Sequence, residues 1–299
     1  MLQFFKKLYK SFFFGAAISS QAQERQFVEI EAGVEVIRLL NFQSNYVDQR
    51  NIEIYLPKNF NADSMTEYNL LYWQDGQNLF DPKVAYNANP LEMHRALDRL
   101  NINNLIVIGI WNTDKRYREY LPEKIYKKLS KSQRLQLKLE YSGKPISADY
   151  LKFIVEELHP FIKNNYLQNR QIVSTGIGGC SMGALISFYA AVEYPDMFDF
   201  AICMSSHWPM SVLRNNINIH QQTLTYLNQS IKDNKFKFYF DYGTENLDAW
   251  YEVYQTQVDT FLSNKPNVTF QTLKFEGDSH SELDWRKRLD SPLKFIYLK

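Results

Sequence analysis

Cysteine is scarce in this 299-residue chain, which has only Cys180 and Cys203. Two thiols cannot make the disulfide framework that staples small secreted folds, and no metal-ligand spacing can be built from them. Each falls on or beside a segment that reads as a central strand, so both are expected as buried thiols. Histidine is scarce too, at five residues, and no two of them stand at ligand spacing, which argues against a metal-dependent hydrolase. Net charge is nearly absent, with 34 basic residues against 33 acidic ones. Such a balance leaves no electrostatic footprint for nucleic acid or an anionic surface. No apolar run approaches the length that crosses a bilayer, so stable membrane insertion is not expected. Repeats and low-complexity linkers are missing as well, and residues 23–299 read as one domain.

Aromatic side chains, in contrast, are abundant: 20 Tyr and 21 Phe. Most belong in a core, and the surplus suits a cleft for an aromatic or sugar-like ligand. At the N-terminus, Lys6, Lys7 and Lys10 precede the apolar run Phe12-Phe13-Phe14-Gly15-Ala16-Ala17-Ile18. Ser20-Gln21-Ala22 then has the small-x-small form of a cleavage site. That order is the pattern of a secretory signal peptide over residues 1–22, and it carries the expectation of a periplasmic or secreted protein. If the segment is an amphipathic tail instead, the alternative is cytoplasmic.

Beyond it, apolar strands alternate with helical periodicity. Residues 27–38 and 50–56 alternate as strands, 69–73 is a buried strand, 91–100 looks helical and 104–110 is apolar again. A helix is expected over 148–166, strands over 172–178, 198–204, 236–242 and 268–275, and a helix over 249–263. Segment 123–147 is polar and Lys-rich, open to reading as a helical lid or a solvated excursion, and its composition favours the second. Strands interleaved with helices predict an α/β fold, a mostly parallel sheet covered on both faces, with its site at the carboxyl ends of the strands.

The most informative stretch is Gly179-Cys180-Ser181-Met182-Gly183, a G-x-S-x-G pattern set between the strand over 172–178 and the helical run Met182–Glu193. On such a strand-to-helix turn the serine backbone is strained, and glycines on both sides let strand and helix pass closely. The hydroxyl then sits at the positive end of the helix, where the Met182 backbone N–H can help hold an oxyanion. Centring the turn on Cys180 would put bulky Met182 at a close-passage position, so Ser181 is the expected nucleophile.

A serine hydroxyl needs a base, and the base needs a group that fixes its tautomer. His94 and His159 read as packing or surface residues, His220 lies in a polar stretch without partners, and His207 follows a strand at the correct sheet end, where it could touch substrate. His280 follows the last strand, after serine and acid in chain order, and is the expected base. The acid is expected in Asp241-Tyr242-Gly243-Thr244-Glu245-Asn246-Leu247-Asp248. Asp241 falls within the strand end and reads as structural. Asp248 is favoured because it can turn back from the start of the next helix, where it would also serve as N-cap, and Glu245 is the second choice. The second oxyanion donor is expected in Gln74-Asp75-Gly76-Gln77, with Gly76 aiming the Gln77 N–H inward.

Together these segments resemble the esterase branch of the α/β-hydrolases that includes enterochelin-esterase-like proteins, feruloyl and acetylxylan esterases, and mycolyltransferases. The matching pieces are residues 72–81, then Gly109, Asn112, Arg116, Glu119 and Tyr120, then the Ser181 pentapeptide, then Asp241 to Glu245 with Asp248, then Gly277, His280, Glu282, Trp285 and Arg288. They run collinearly over nearly all of residues 27–299. The chain departs from the family pattern at Gln74, where His is frequent, and at Ala184, where Gly is. The resemblance implies an α/β-hydrolase fold, Ser181 as nucleophile, His280 as base, an acid in the Glu245 to Asp248 loop, and Gln77 and Met182 as backbone oxyanion donors. It implies no cofactor. Arg116 and Glu119 are expected to pair with each other structurally. The activity expected is hydrolysis of a small-molecule or polysaccharide-linked carboxylic ester through an acyl-enzyme. Alternatives are an acyltransferase using the same groups, or a non-catalytic carbohydrate- or siderophore-binding protein on a hydrolase scaffold.

Overall fold

The computed structural model describes residues 23–58, 60, 67–168, 170–231 and 234–298. The signal-peptide expectation over 1–22 falls outside the described residues. Nine strands form one sheet in the order β1-β2-β3-β5-β4-β6-β7-β8-β9. They are β1 (Arg25–Glu31), β2 (Val34–Phe42), β3 (Arg50–Tyr55), β4 (Tyr68–Gln74), β5 (Leu105–Ile110), β6 (Ile172–Cys180), β7 (Phe200–Met204), β8 (Phe236–Gly243) and β9 (Val268–Phe275). β1, β2 and β3 pair antiparallel, as do β3 and β5, and the rest of the sheet is parallel.

The sheet's chemistry follows its position. All of β5 is buried, and β4 is buried at every position except Asn69, the continuous apolar pattern of strands covered on both faces. β2 alternates buried with more exposed positions only from Val34 to Ile37; Arg38 and Leu39 are then buried in succession, as the strand adds residues to the apolar clusters on both faces. One apolar cluster, containing Leu185, Phe188, Leu227 and Val258, packs helices Met182–Glu193, Ile217–Ser230 and Glu252–Ser263 against one face. On the other face Met93, Leu97, Leu289 and Leu293 come from helices Met93–Arg99 and Asp290–Tyr297 and the turn between the last two helices. Among the described residues, no helix is long and apolar enough to cross a membrane.

Three expectations are corrected. The single strand over 27–38 is a hairpin, because Ala32-Gly33 turns the chain with Gly33 at φ +75° and the pairing aligns Val28 with Val36. Segment 123–147 is largely helical (Glu123–Lys128 and Lys131–Glu140), and Ile125, Tyr126, Leu129, Leu137 and Tyr141 bury themselves in the core. Its apolar residues are few and Leu135 and Leu139 stay exposed, but those five join the core, and Ser130 with Gln133 closes a capping box. His220 does have neighbours: it lies in helix Ile217–Ser230, buried between Trp208 and Tyr254 with ring centroids at 5.9 and 5.0 Å.

Burial pushes the His220 imidazole down to about 4 from 6.5. Its contribution to stability is therefore complete above 6.5 and is lost as pH falls from there toward about 4, because the unfolded chain then takes up the proton first. Neither ring nitrogen has a hydrogen-bond partner among the described residues, so phenylalanine forfeits little. We expect His220→Phe to match the parent within about 1 kcal/mol at pH 7.5 and to exceed it by about 1–2 kcal/mol at pH 5. Denaturant melts at the two pH values check this, and an equal difference at both would contradict it.

Candidate active site

The sheet reverses its winding at β4, with β5 on one side and β6 on the other, so the loops leaving β4 and β6 diverge and open a crevice at their carboxyl ends. The loops that follow β7, β8 and β9 converge on the same edge.

Ser181 occupies the turn after β6 with φ 59° and ψ −123°, a strained conformation for a non-glycine residue. A Cβ on Gly179 would lie 2.8 Å from the Gly183 carbonyl carbon, so the turn closes only with glycine there. The Ser181 carbonyl opens helix Met182–Glu193 by accepting Leu185 N–H at 3.1 Å, and the Met182 N–H, at the first helical position, has no intrahelical carbonyl to donate to. Across the crevice, Gly76–Asn78 forms a 3-10 turn closed by Asn78 N–H on Asp75 and Leu79 N–H on Gly76, so the Gln77 N–H stands outside the turn's own bonding. Asp75 holds this turn. Its carboxylate accepts from Arg116 Nε and Nη2, both at 2.7 Å, and from Asn112 Nδ2 at 2.7 Å. Glu119 pairs instead with Arg50 at 2.6 and 2.9 Å, so the expected Arg116–Glu119 pair is absent; partners from β3 and the β4 loop replace it.

His280 bridges the crevice. Its Nε2 lies 2.9 Å from Ser181 Oγ, and its Nδ1 lies 2.6 Å from Asp248 Oδ1. Asp248, fully buried in the short 3-10 helix Asn246–Trp250, uses its second oxygen as well. Oδ2 accepts from Ser205 Oγ at 2.6 Å, Gly243 N–H at 2.7 Å and Arg288 Nη2 at 3.3 Å. Burial raises its carboxyl, but the hydrogen bond and charge of His280 and donation from Ser205 and Gly243 outweigh this and hold it below the ordinary carboxylate range. Gly243 cannot carry a side chain, since its Cβ would meet the Asp278 carbonyl oxygen at 2.1 Å. Of the two acids left open by the sequence, Asp248 is the one brought to His280; Glu245 is exposed, and its N–H donates to the Asp278 carbonyl at 3.0 Å.

Several supporting residues carried no sequence signal of their role. Ser205 Oγ accepts from Trp285 Nε1 at 2.9 Å and Arg288 Nη2 at 2.5 Å, which turns its own proton to Asp248. Asp241 pairs with the same Arg288 at 3.2 Å, and burial pushes its carboxyl up to about 6. The indole of Trp285 stands edge-on to His280 at 4.8 Å. Asp284 accepts from Ser279 N–H at 2.8 Å, fixing the loop that presents the imidazole. In the sequence Trp285 and Arg288 stand out only through the family resemblance, and Ser205 does not stand out at all.

The crevice holds about 580 Å³ and is walled by Trp73, Tyr86, Asn112, Arg116, Tyr117 and Glu282, with Ser181 and His280 on its floor. Cys180 also reaches it, but burial raises the thiol well above its ordinary range, which leaves it protonated and poorly nucleophilic. His207 does not reach the crevice: it is fully buried, with Nδ1 2.7 Å from Tyr251 OH, so direct substrate contact is corrected. Among the described residues, no three His, Cys, Asp or Glu side chains are grouped to hold a metal ion.

A family profile described as "Putative esterase" matches residues 44–296. An uncharacterised protein of Bacillus subtilis (strain 168), YbbA, is 30% identical over 234 residues, covering 78% of this chain and 82% of that protein. Among solved structures, siderophore hydrolase EstA from Aspergillus nidulans superposes with a TM-score of 0.63 at 14% identity, covering 89% of this chain and 95% of that one. An IroE-like serine hydrolase from Shewanella oneidensis gives 0.59 at 17% identity, covering 87% and 76%. The reversed strand order, the Ser181 turn and these likenesses together make the fold that of an α/β-hydrolase, and the chain belongs to the esterase family.

Proposed function

We propose that this protein is a serine carboxylic-ester hydrolase in which Ser181, His280 and Asp248 act as a catalytic triad through an acyl-enzyme. The observation that carries the reading is the unbroken series Ser181 Oγ, His280 Nε2, His280 Nδ1, Asp248 Oδ1, at 2.9 and 2.6 Å. Asp248, held ionised by its donors, keeps the proton on Nδ1 and leaves Nε2 free to accept. As Oγ attacks the ester carbonyl, its proton passes to Nε2 and the carbonyl oxygen takes negative charge. The Met182 and Gln77 N–H groups are the donors to that oxygen, each worth about a hundred- to a thousandfold in rate. The imidazolium then protonates the departing alcohol. Water, deprotonated by His280, attacks the acyl-enzyme and frees the acid.

The crevice bounds the substrate. A volume of about 580 Å³ with aromatic walls and polar groups from Asn112 and Arg116 suits a small-molecule ester with hydrogen-bonding substituents. The name of the siderophore hydrolase EstA is in keeping with such a class.

Active-site labelling tests the proposal. A fluorophosphonate probe is expected to leave a single adduct on Ser181, located by peptide mass spectrometry, and to react at least about a hundredfold more slowly with His280→Ala. Failure of the native protein to label would remove the nucleophile assignment.

A further inference from the structure

The near-cancellation of charge over the whole chain hides a local surplus. Segment 123–147 holds seven lysines and arginines against two acids, Glu123 and Glu140, in a chain whose totals are 34 and 33. Neither acid is left to answer that surplus. Glu123 pairs with Lys127 at 2.6 Å. Glu140 accepts from Ser211 Oγ at 2.7 Å and from the Val212 and Leu213 N–H groups at 2.7 and 3.3 Å. Lys131 and Lys138 have no acidic partner among the described residues.

The same segment exposes apolar side chains. In helix Lys131–Glu140 the exposed positions are Lys131, Ser132, Leu135, Lys138 and Leu139, which fall on one face at the helical period. Leu139 is 71% exposed, and Leu213, on the facing loop, is 73% exposed. These are the two most exposed large apolar side chains among the described residues. Leu135, Leu139 and Leu213 line one groove of about 1020 Å³, with Arg214 beside them. Glu140 clamps the Leu213 loop to the helix, so the three leucines are held out together. The groove also neighbours the catalytic crevice. Tyr141, the residue after the helix, stacks on the crevice-wall residue Tyr117, with centroids 4.8 Å apart and planes at 3°.

We propose that this face docks on an anionic lipid surface. Leu135, Leu139 and Leu213 enter the head-group region, while Lys131, Lys138 and Arg214 meet the lipid phosphates. The docking is peripheral and crosses no bilayer. Leucines on one exposed helix face with flanking lysines are the pattern of an interfacial helix, in which the lysine stems lie along the apolar boundary and the charges reach outward. Charge complementarity selects the occupant. A second copy would set the same cations against themselves across a two-fold contact. A neutral lipid surface would receive the leucines but leave the cations without counter-charge.

The test uses the full chain carrying a nitrobenzoxadiazole label at Leu213→Cys. A separate protein is labelled at Val173→Cys, an exposed position at the amino end of β6, opposite the Ser181 edge. Cys180 and Cys203 are buried, so the label enters at the new thiol. Residues 1–22 carry lysines and an apolar run of their own, and a local probe keeps the two contributions apart. With vesicles of equimolar phosphatidylglycerol and phosphatidylcholine, emission at 213 is expected to move to the blue and rise at least about twofold, with no change at 173. Pure phosphatidylcholine is expected to need at least about tenfold more lipid for the same response. Leu135→Ser with Leu139→Ser, and separately Lys131→Glu with Lys138→Glu, are each expected to raise the half-saturating lipid concentration at least about tenfold. All four positions are on the surface, and circular dichroism checks that the variants fold. No response at 213, an equal response with pure phosphatidylcholine, or unchanged titrations in both variants overturns the proposal. So does light scattering that finds a dimer in the parent and a monomer in the leucine variant, since a second copy would then fill the groove.

Discussion

Ser181→Ala is expected to lower kcat/KM for p-nitrophenyl acetate by about 10⁴- to 10⁶-fold, with the thermal midpoint and circular dichroism unchanged. The fold is insensitive for a local reason. The strained backbone at φ 59° belongs to the turn, and Gly179 closes it; an alanine inherits the same conformation and omits one oxygen. The lost hydrogen bond is the one to His280, whose other nitrogen stays fixed on Asp248. Any residual hydrolysis measures what the oxyanion donors and binding achieve without a nucleophile. A Ser181→Ala protein that turned over at the parent rate would end the mechanism.

The second large effect separates the two acids. Asp248→Asn is expected to reduce kcat by about 10³- to 10⁴-fold, whereas Glu245→Gln should stay within about twofold. An amide at 248 can offer an N–H to His280 Nδ1, which selects the tautomer with the proton on Nε2 and removes the acceptor facing Ser181. It also sets an amide where Ser205, Gly243 and Arg288 now donate to a carboxylate. Glu245 is exposed, and only its main chain is engaged. Steady-state kinetics on both variants, with fluorophosphonate reactivity as a second readout, decides the matter.

How far the sequence reaches depends on how local each determinant is. The turn at Ser181 is legible because strand, glycines and helix are contiguous, and each constrains the next. The parallel sheet is legible from the apolar runs of β4, β5 and β6. The choice between Glu245 and Asp248 is not, because Asp278, on the loop after β9, sets the path of that loop. Its carbonyl accepts Thr244 and Glu245 N–H, at 2.9 and 3.0 Å. Arg116 and Glu119 mislead for the same reason: they are three apart in a short helix, yet each finds a better-placed carboxylate or guanidinium on a distant strand or loop. Segment 123–147 misleads by average composition, since the five hydrophobic residues that join the core there are outnumbered by lysines and other polar side chains. Ser205 is invisible because a serine after a strand is commonplace, and its importance lies in three contacts made at long range.

The stitching of the β8 loop to the β9 loop through the Asp278 carbonyl has a mechanical corollary. Asp248 and His280 are carried on one assembly, braced by Arg288 against Asp241, Asp248 and Asp278, while Ser181 rides on a different strand and helix. Thermal vibration therefore has little purchase on the separation of Asp248 from His280. It falls instead on the gap between His280 and Ser181, the hydrogen bond along which the proposed proton transfer runs.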